Sequence, residues 1–115
     1  MVIMSYKPYV PKGIGELLDH LAHMRLASPI FKDETGFLPH ENIDTAFYSL
    51  NEGLLAIRKK LGEERYAALR MLSDKTRALF DADPGDNTGD ARAGRKLIYE
   101  IEDTLRKVSK RTIPK

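Results

Sequence analysis

The chain has no cysteine. That absence excludes disulfides, thiolate zinc sites and cysteine nucleophiles, and it suits a reducing cytoplasm. Also missing is any apolar run long enough to span a bilayer. Met1-Val2-Ile3-Met4 is apolar, but it runs straight into Ser5-Tyr6-Lys7-Pro8 and lacks the length of a secretory core. The expectation is a cytoplasmic protein with no membrane contact, and Met4 is an alternative start to Met1. No Gly-x-Ser-x-Gly elbow, phosphate loop, dinucleotide fingerprint or His-Glu-x-x-His stretch occurs. No catalytic residue and no cofactor site is therefore expected, and the reading is non-enzymatic.

Net charge is small, +2 over 115 residues, but it is unevenly placed. Residues 1–57 hold four Lys/Arg against seven Asp/Glu, and residues 58–115 hold 15 against 10. Arg106, Lys107, Lys110, Arg111 and Lys115 close the chain with no acid among them. Such a polarity steers partners, although cations at a helix C-terminus also favour the helix dipole. With 42% apolar and 31% charged residues the composition is that of an ordinary globular chain. Its length is that of one domain, residues 1–115.

What the sequence does contain is helical periodicity. Ile43, Ala46, Phe47, Leu50, Leu54, Ile57 and Leu61 recur at three- and four-residue steps, as do Tyr66, Leu69, Leu72, Thr76, Leu79 and Phe80. Hydrophobic phase does not separate these two stripes. The break is placed at Gly62, because Lys59 and Lys60 suit the end of one helix and Glu63 and Glu64 the start of the next. Asn42 is the expected N-cap of the first stripe, with Pro39 as an earlier start. Gly53 falls on the flank of that stripe, where it lets another helix approach closely.

Before this hairpin, Ile14, Leu17, Leu18, Leu21 and Met24 define a helix from Ile14 to Ala27, stopped by Ser28-Pro29. After it, Asp83-Pro84-Gly85 stops the third helix near Ala82. A fourth runs from about Asp90 to Lys110 with Ala91, Leu97, Ile98, Ile101, Leu105 and Val108 inward and Thr88 as a cap. Pro8 and Pro11 keep residues 1–12 extended, an arm packed on the bundle by Tyr6, Tyr9 and Val10. Residues 28–41 hold Ile30, Phe31, Phe37 and Leu38 around a polar turn, Asp33-Glu34-Thr35-Gly36, and are expected to fold over one end. The predicted fold is all-α: a single-domain antiparallel four-helix bundle with an extended N-terminal arm, a long loop between helices one and two, and a basic tail at about 111–115.

Four groups of residues are candidates for function. Glu16, His20 and His23 share one face of the first helix at one-turn spacing, the arrangement of a helical metal chelate. They lie opposite the apolar stripe, however, and His40 has no fixed place beside them, so the reading is a solvated face with no metal. Asp81, Asp83, Asp86, Asn87 and Asp90 crowd one loop but break the order of a calcium loop, with Arg92 where its last ligand belongs. They read as turn residues. Arg106, Lys107, Lys110 and Arg111, with Lys59 and Lys60, form a weak nucleic-acid candidate, interrupted by Glu100, Glu102 and Asp103. Tyr48, Leu55, Met71 and Tyr99 fall off the main stripes and are candidates for binding a partner.

The leading expectation is a small helical protein–protein interaction module that binds another protein or itself as a homo-dimer. A bacterial immunity or antitoxin-type protein suits this size and polarity. A nucleic-acid-associated protein using the fourth helix and tail is the alternative, and a metal-binding enzyme on the first helix is a third reading.

Overall fold

The computed structural model describes the backbone of residues 8–31 and 42–112, with side chains as far as Ser109. All regular structure among them is helical: α1 (Ile14–Ala27), α2 (Ile43–Ala56), α3 (Arg58–Leu61), α4 (Glu63–Ala82) and α5 (Asp90–Thr112). The expected contributions of Tyr6, Phe37, Leu38, His40 and Lys115 fall outside the described residues, as does the turn at 33–36.

α1 starts after Gly13, whose extended backbone (φ −165°, ψ 178°) provides no side-chain cap. Glu16 accepts the Lys12 N–H at 3.0 Å, one residue before the cap, and so ties the preceding segment to the helix start. The helix stops at Ser28, whose Oγ donates to the Arg25 carbonyl at 3.0 Å, and a cis Ser28–Pro29 bond follows. Asn42 caps α2 as its position suggests: its Oδ1 accepts the Thr45 N–H, and Thr45 Oγ1 accepts the Asn42 N–H, both at 3.0 Å. This reciprocal pair satisfies two of the donors a helix start leaves orphaned.

The second predicted helix is interrupted once more than its periodicity indicates. At Ile57 the backbone leaves the helical region (φ −108°, ψ 17°), and a single turn, α3, carries the chain to Gly62. Ile57 and Leu61 both stay in the core across the bend, 7% and 1% exposed. Gly62 itself sits at φ 85° and ψ 159°, a region essentially closed to residues with a Cβ. The break expected at Gly62 is therefore real and has a steric cause. The charge that spans it belongs to Arg58, whose guanidinium grips Glu63 at 2.7 Å and stacks 4.5 Å from the Tyr66 ring.

One core is drawn from all five helices, including Leu17, Leu21, Phe47, Leu54, Leu61, Leu69, Phe80, Ile98 and Leu105. At one end three rings close it. Phe31 meets Phe47 and Phe80 edge-on at 5.9 and 5.3 Å between centroids, a favoured aromatic geometry. Phe31 reaches them from a left-handed backbone (φ 66°), a conformation that costs roughly 1 kcal/mol or more and is offset by burying the ring. Ile30, its neighbour, is left 51% exposed.

Two glycines bring helices close together. A Cβ on Gly53 would lie 2.7 Å from Leu17 Cδ2 and 3.2 Å from Pro11 Cβ, so α1 and the arm rest directly on α2. A Cβ on Gly94 would lie 2.8 Å from the Phe80 ring, which seals α4 against α5. α2 and α4 are joined by polar side chains: Asp44 pairs with Arg77, and Ser73 Oγ donates to Asn51 Oδ1 at 2.7 Å. None of the described helices is long and apolar enough to cross a membrane.

Candidate functional site

Of the cluster on α1, Glu16 and His23 are exposed and His20 is half-buried. Glu16 Oε1 accepts the Tyr9 hydroxyl at 2.8 Å as well as the Lys12 N–H. These bonds, the Lys12 N–H foremost, hold its carboxyl below the ordinary range, and the same carboxylate raises the Tyr9 phenol. His20 departs from the expected solvated face. Its Nε2 lies 2.9 Å from the Ala46 carbonyl oxygen, which can only accept, so that nitrogen carries the proton. The side chains of Tyr9, Glu16 and His20 thus fasten residues 8–12 and α2 to α1. They border a hollow of about 340 Å³, also lined by Phe31 and Asn42, the residues on either side of 32–41. Among the described residues no three His, Cys, Asp or Glu side chains are grouped to hold a metal ion.

The acidic loop 83–89 is polar but not all solvated, as its composition suggests. Asp83 is 2% exposed. Its Oδ1 accepts the Asn87 and Thr88 N–H groups at 2.7 and 3.2 Å, and its Oδ2 the Ala91 N–H at 3.0 Å. These bonds, that from Ala91 first, lower its carboxyl below the ordinary aspartate range. The principal cap of α5 is therefore Asp83 reaching across the turn, with Thr88 Oγ1 accepting only the Asp90 N–H at 3.2 Å. Asp86 is taken by Arg95 at 3.1 Å, and Asp81 lies 3.5 Å from Arg77.

The four apolar partner candidates are all exposed: Tyr48 47%, Leu55 44%, Met71 73% and Tyr99 50%. They do not form one surface. Tyr48 and Leu55 are seven residues apart on α2, hence on one face, beside the polar seam of Asp44 and Asn51 with α4. Met71 is alone on α4, about half a turn from the buried Ser73. Tyr99 is on α5 against α1, and there the structure adds a second apolar residue. Leu26, the penultimate residue of α1, is 85% exposed and stands across a cleft from Tyr99.

That cleft has a built wall. Glu102 is 1% exposed, and its two oxygens take the Arg25 Nε and Nη2 at 2.9 and 3.1 Å. The hydrogen bonds to Glu102 raise the guanidinium above its ordinary value. Arg25 spends its remaining nitrogen on the Tyr99 hydroxyl at 3.0 Å, with its carbon 4.2 Å from the Tyr99 ring centroid. A buried carboxylate thus orients an arginine, which in turn orients an exposed tyrosine. Arg92, Lys96 and Tyr99 lie at i, i+4 and i+7 along α5 and complete the rim of an open cleft of about 340 Å³ with Arg25, Leu26 and Arg95. Arg95 is occupied, donating to Ser28 Oγ at 3.3 Å and to Asp86. Among the described residues neither Arg92 nor Lys96 forms an ion pair.

Farther along α5, Glu102 points inward to Arg25 of α1 yet still lies 3.9 Å from Arg106. Glu100 and Asp103 are exposed, and Asp103 accepts Arg106 at 3.4 Å. Lys107 is exposed, and the side chains of Lys110 and Arg111 lie outside the described residues. Buried Glu102 could have been inferred only from its place between Ile101 and Leu105 on the apolar face. Leu26 lies two residues past Met24, on the far side of α1 from its apolar stripe, so periodicity marks it as outward just as it does Tyr99. The chain matches no known family model, no curated protein and no solved structure.

Proposed function

We propose that this chain is a non-enzymatic protein–protein interaction module, one domain of 115 residues that presents the α1–α5 cleft to another protein in the cytoplasm. One observation carries the reading: an exposed leucine and an exposed tyrosine face each other across a cleft whose tyrosine is held by a buried ion pair. Rigid aromatic anchors beside apolar side chains are what binding hot spots use, because little side-chain entropy remains to be lost. The helices are read as an antiparallel four-helix bundle in which α2 and α3 together make the second helix. The pairings of Asp44 with Arg77, Asn51 with Ser73 and Arg58 with Tyr66 support that arrangement.

The nucleic-acid reading draws less support. Arg106 is drawn to Asp103, and exposed Glu100 and Asp103 would meet a phosphate chain on the same helix. The metal-enzyme reading loses Glu16 to Tyr9 and Lys12, and His20 to Ala46. An immunity or antitoxin-type role is a form that the leading reading can take.

A photo-crosslinking residue placed at Leu26, and separately at Met71, tests the proposal in source cells. A discrete heavier adduct from position 26 and none from position 71 is expected. Adducts from position 71 alone, or from neither, would count against it.

A further inference from the structure

We infer that the α1–α5 cleft takes an acidic segment of another protein, its carboxylates on Arg92 and Lys96 and an apolar side chain between Leu26 and Tyr99. The inference deepens the interaction-module reading and rests on it. Its basis is the charge left over at the cleft. Four cations line it, and two are neutralised within the chain, Arg25 by Glu102 and Arg95 by Asp86. Arg92 and Lys96 are exposed and make no ion pair among the described residues.

Their position sharpens the complementarity. Arg92 lies in the first turn of α5, where the aligned peptide dipoles already place positive potential and a cation is disfavoured. Asp90 shares that turn but is two residues back and points elsewhere. Asp83, which caps the helix from across the turn, and Asp90 answer the dipole itself, so what a docking carboxylate meets is the side-chain charge of Arg92 and Lys96. Arg92 and Lys96 are one turn apart, about 6 Å along the axis. Carboxylates at alternate positions of an extended segment, about 6.6 Å apart, match that spacing.

The same stripe argues for a protein over a nucleic acid. Leu26 at 85% exposure gains nothing from phosphates, whereas burying a leucine side chain is worth about 1.5–3 kcal/mol when complete. Four residues beyond Tyr99, exposed Asp103 ends the run of uncompensated cations, so a phosphate backbone following the helix would meet a carboxylate.

Fluorescence anisotropy on the full chain tests the inference with three labelled probes. These are a short peptide with glutamates at two alternate positions and a leucine two residues further on, so that all three share one face, the same peptide with glutamines, and a single-stranded DNA oligonucleotide. The acidic peptide should bind, weaken as salt is raised, and lose about tenfold in affinity in the Arg92→Glu/Lys96→Glu variant. Leu26→Ser should weaken it further, with the thermal melt of no variant lowered. Equal binding of the glutamine peptide, no salt-sensitive binding of the acidic one, or DNA binding with the same sensitivity to charge reversal would overturn the inference. So would self-association of the chain abolished by that reversal, since the acidic partner would then be a second copy. If crosslinking from position 26 persists through any of these results, the interaction-module reading survives and only the acidic partner falls.

Discussion

At Glu102 a carboxylate with 1% of its surface exposed lies 2.9 Å from Arg25 Nε. Removing one partner of such a pair strands the other without its solvation. Arg25→Met should therefore destabilise the fold by roughly 3 kcal/mol, the low end for a buried pair, since Arg106 stands 3.9 Å away as a partial substitute. The double variant Arg25→Met/Glu102→Leu should recover most of that loss, as read by urea denaturation. A double variant no more stable than the single one would show that the pair is not the unit described. The second residue to probe is Asp83, whose folded carboxyl titrates below its unfolded value. Its contribution is present above about pH 4, the unfolded value, and is lost as pH falls through the lower folded one. Asp83→Asn keeps one acceptor oxygen where two are used, so its melting temperature should fall at pH 7. The gap to the parent should close on acidification, and a gap constant with pH would contradict the capping role.

The elements are held by steric features at particular glycines. Gly62→Ala places a Cβ at φ 85° and should cost about 1–3 kcal/mol. Gly94→Ala leaves the backbone helical but drives a Cβ to 2.8 Å from the Phe80 ring, and should cost a similar 1–3 kcal/mol despite alanine's better helix propensity. Calorimetric melting of both variants checks the pair, and a neutral Gly94→Ala would mean that the Phe31–Phe47–Phe80 cluster gives way easily. Helix positions were largely legible from the chain itself. Periodicity with Asn42, Ser28-Pro29 and Asp83-Pro84 places the helices because apolar spacing, caps and stops are local properties. The extra bend at Ile57 is not legible, since the apolar phase of Ile57 and Leu61 runs through it unbroken. The site is less legible in the sequence, because its contacts are long-range. Tyr99 is identifiable as off-stripe, but Arg25 and Glu102 are 77 residues apart, and nothing local reports that they meet. His20 looks solvated in sequence because its partner is the main chain of Ala46.

For the molecule as a whole, the account separates what holds the fold from what meets a partner. Leu26 is 85% exposed, and the proposal assigns it to the second group. Leu26→Asp should leave stability within about 0.5 kcal/mol while abolishing the crosslinked partner's retention on the purified protein. A comparable loss of stability would move Leu26 into the core. The most direct test of the docking claim is a chemical-shift map of the full chain titrated with the acidic peptide. The account predicts shifts concentrated at Leu26, Arg92, Lys96 and Tyr99, with Tyr48, Leu55 and Met71 unmoved. Shifts at Tyr48 and Leu55 or along Arg106 and Lys107, with Leu26 and Tyr99 silent, would contradict it.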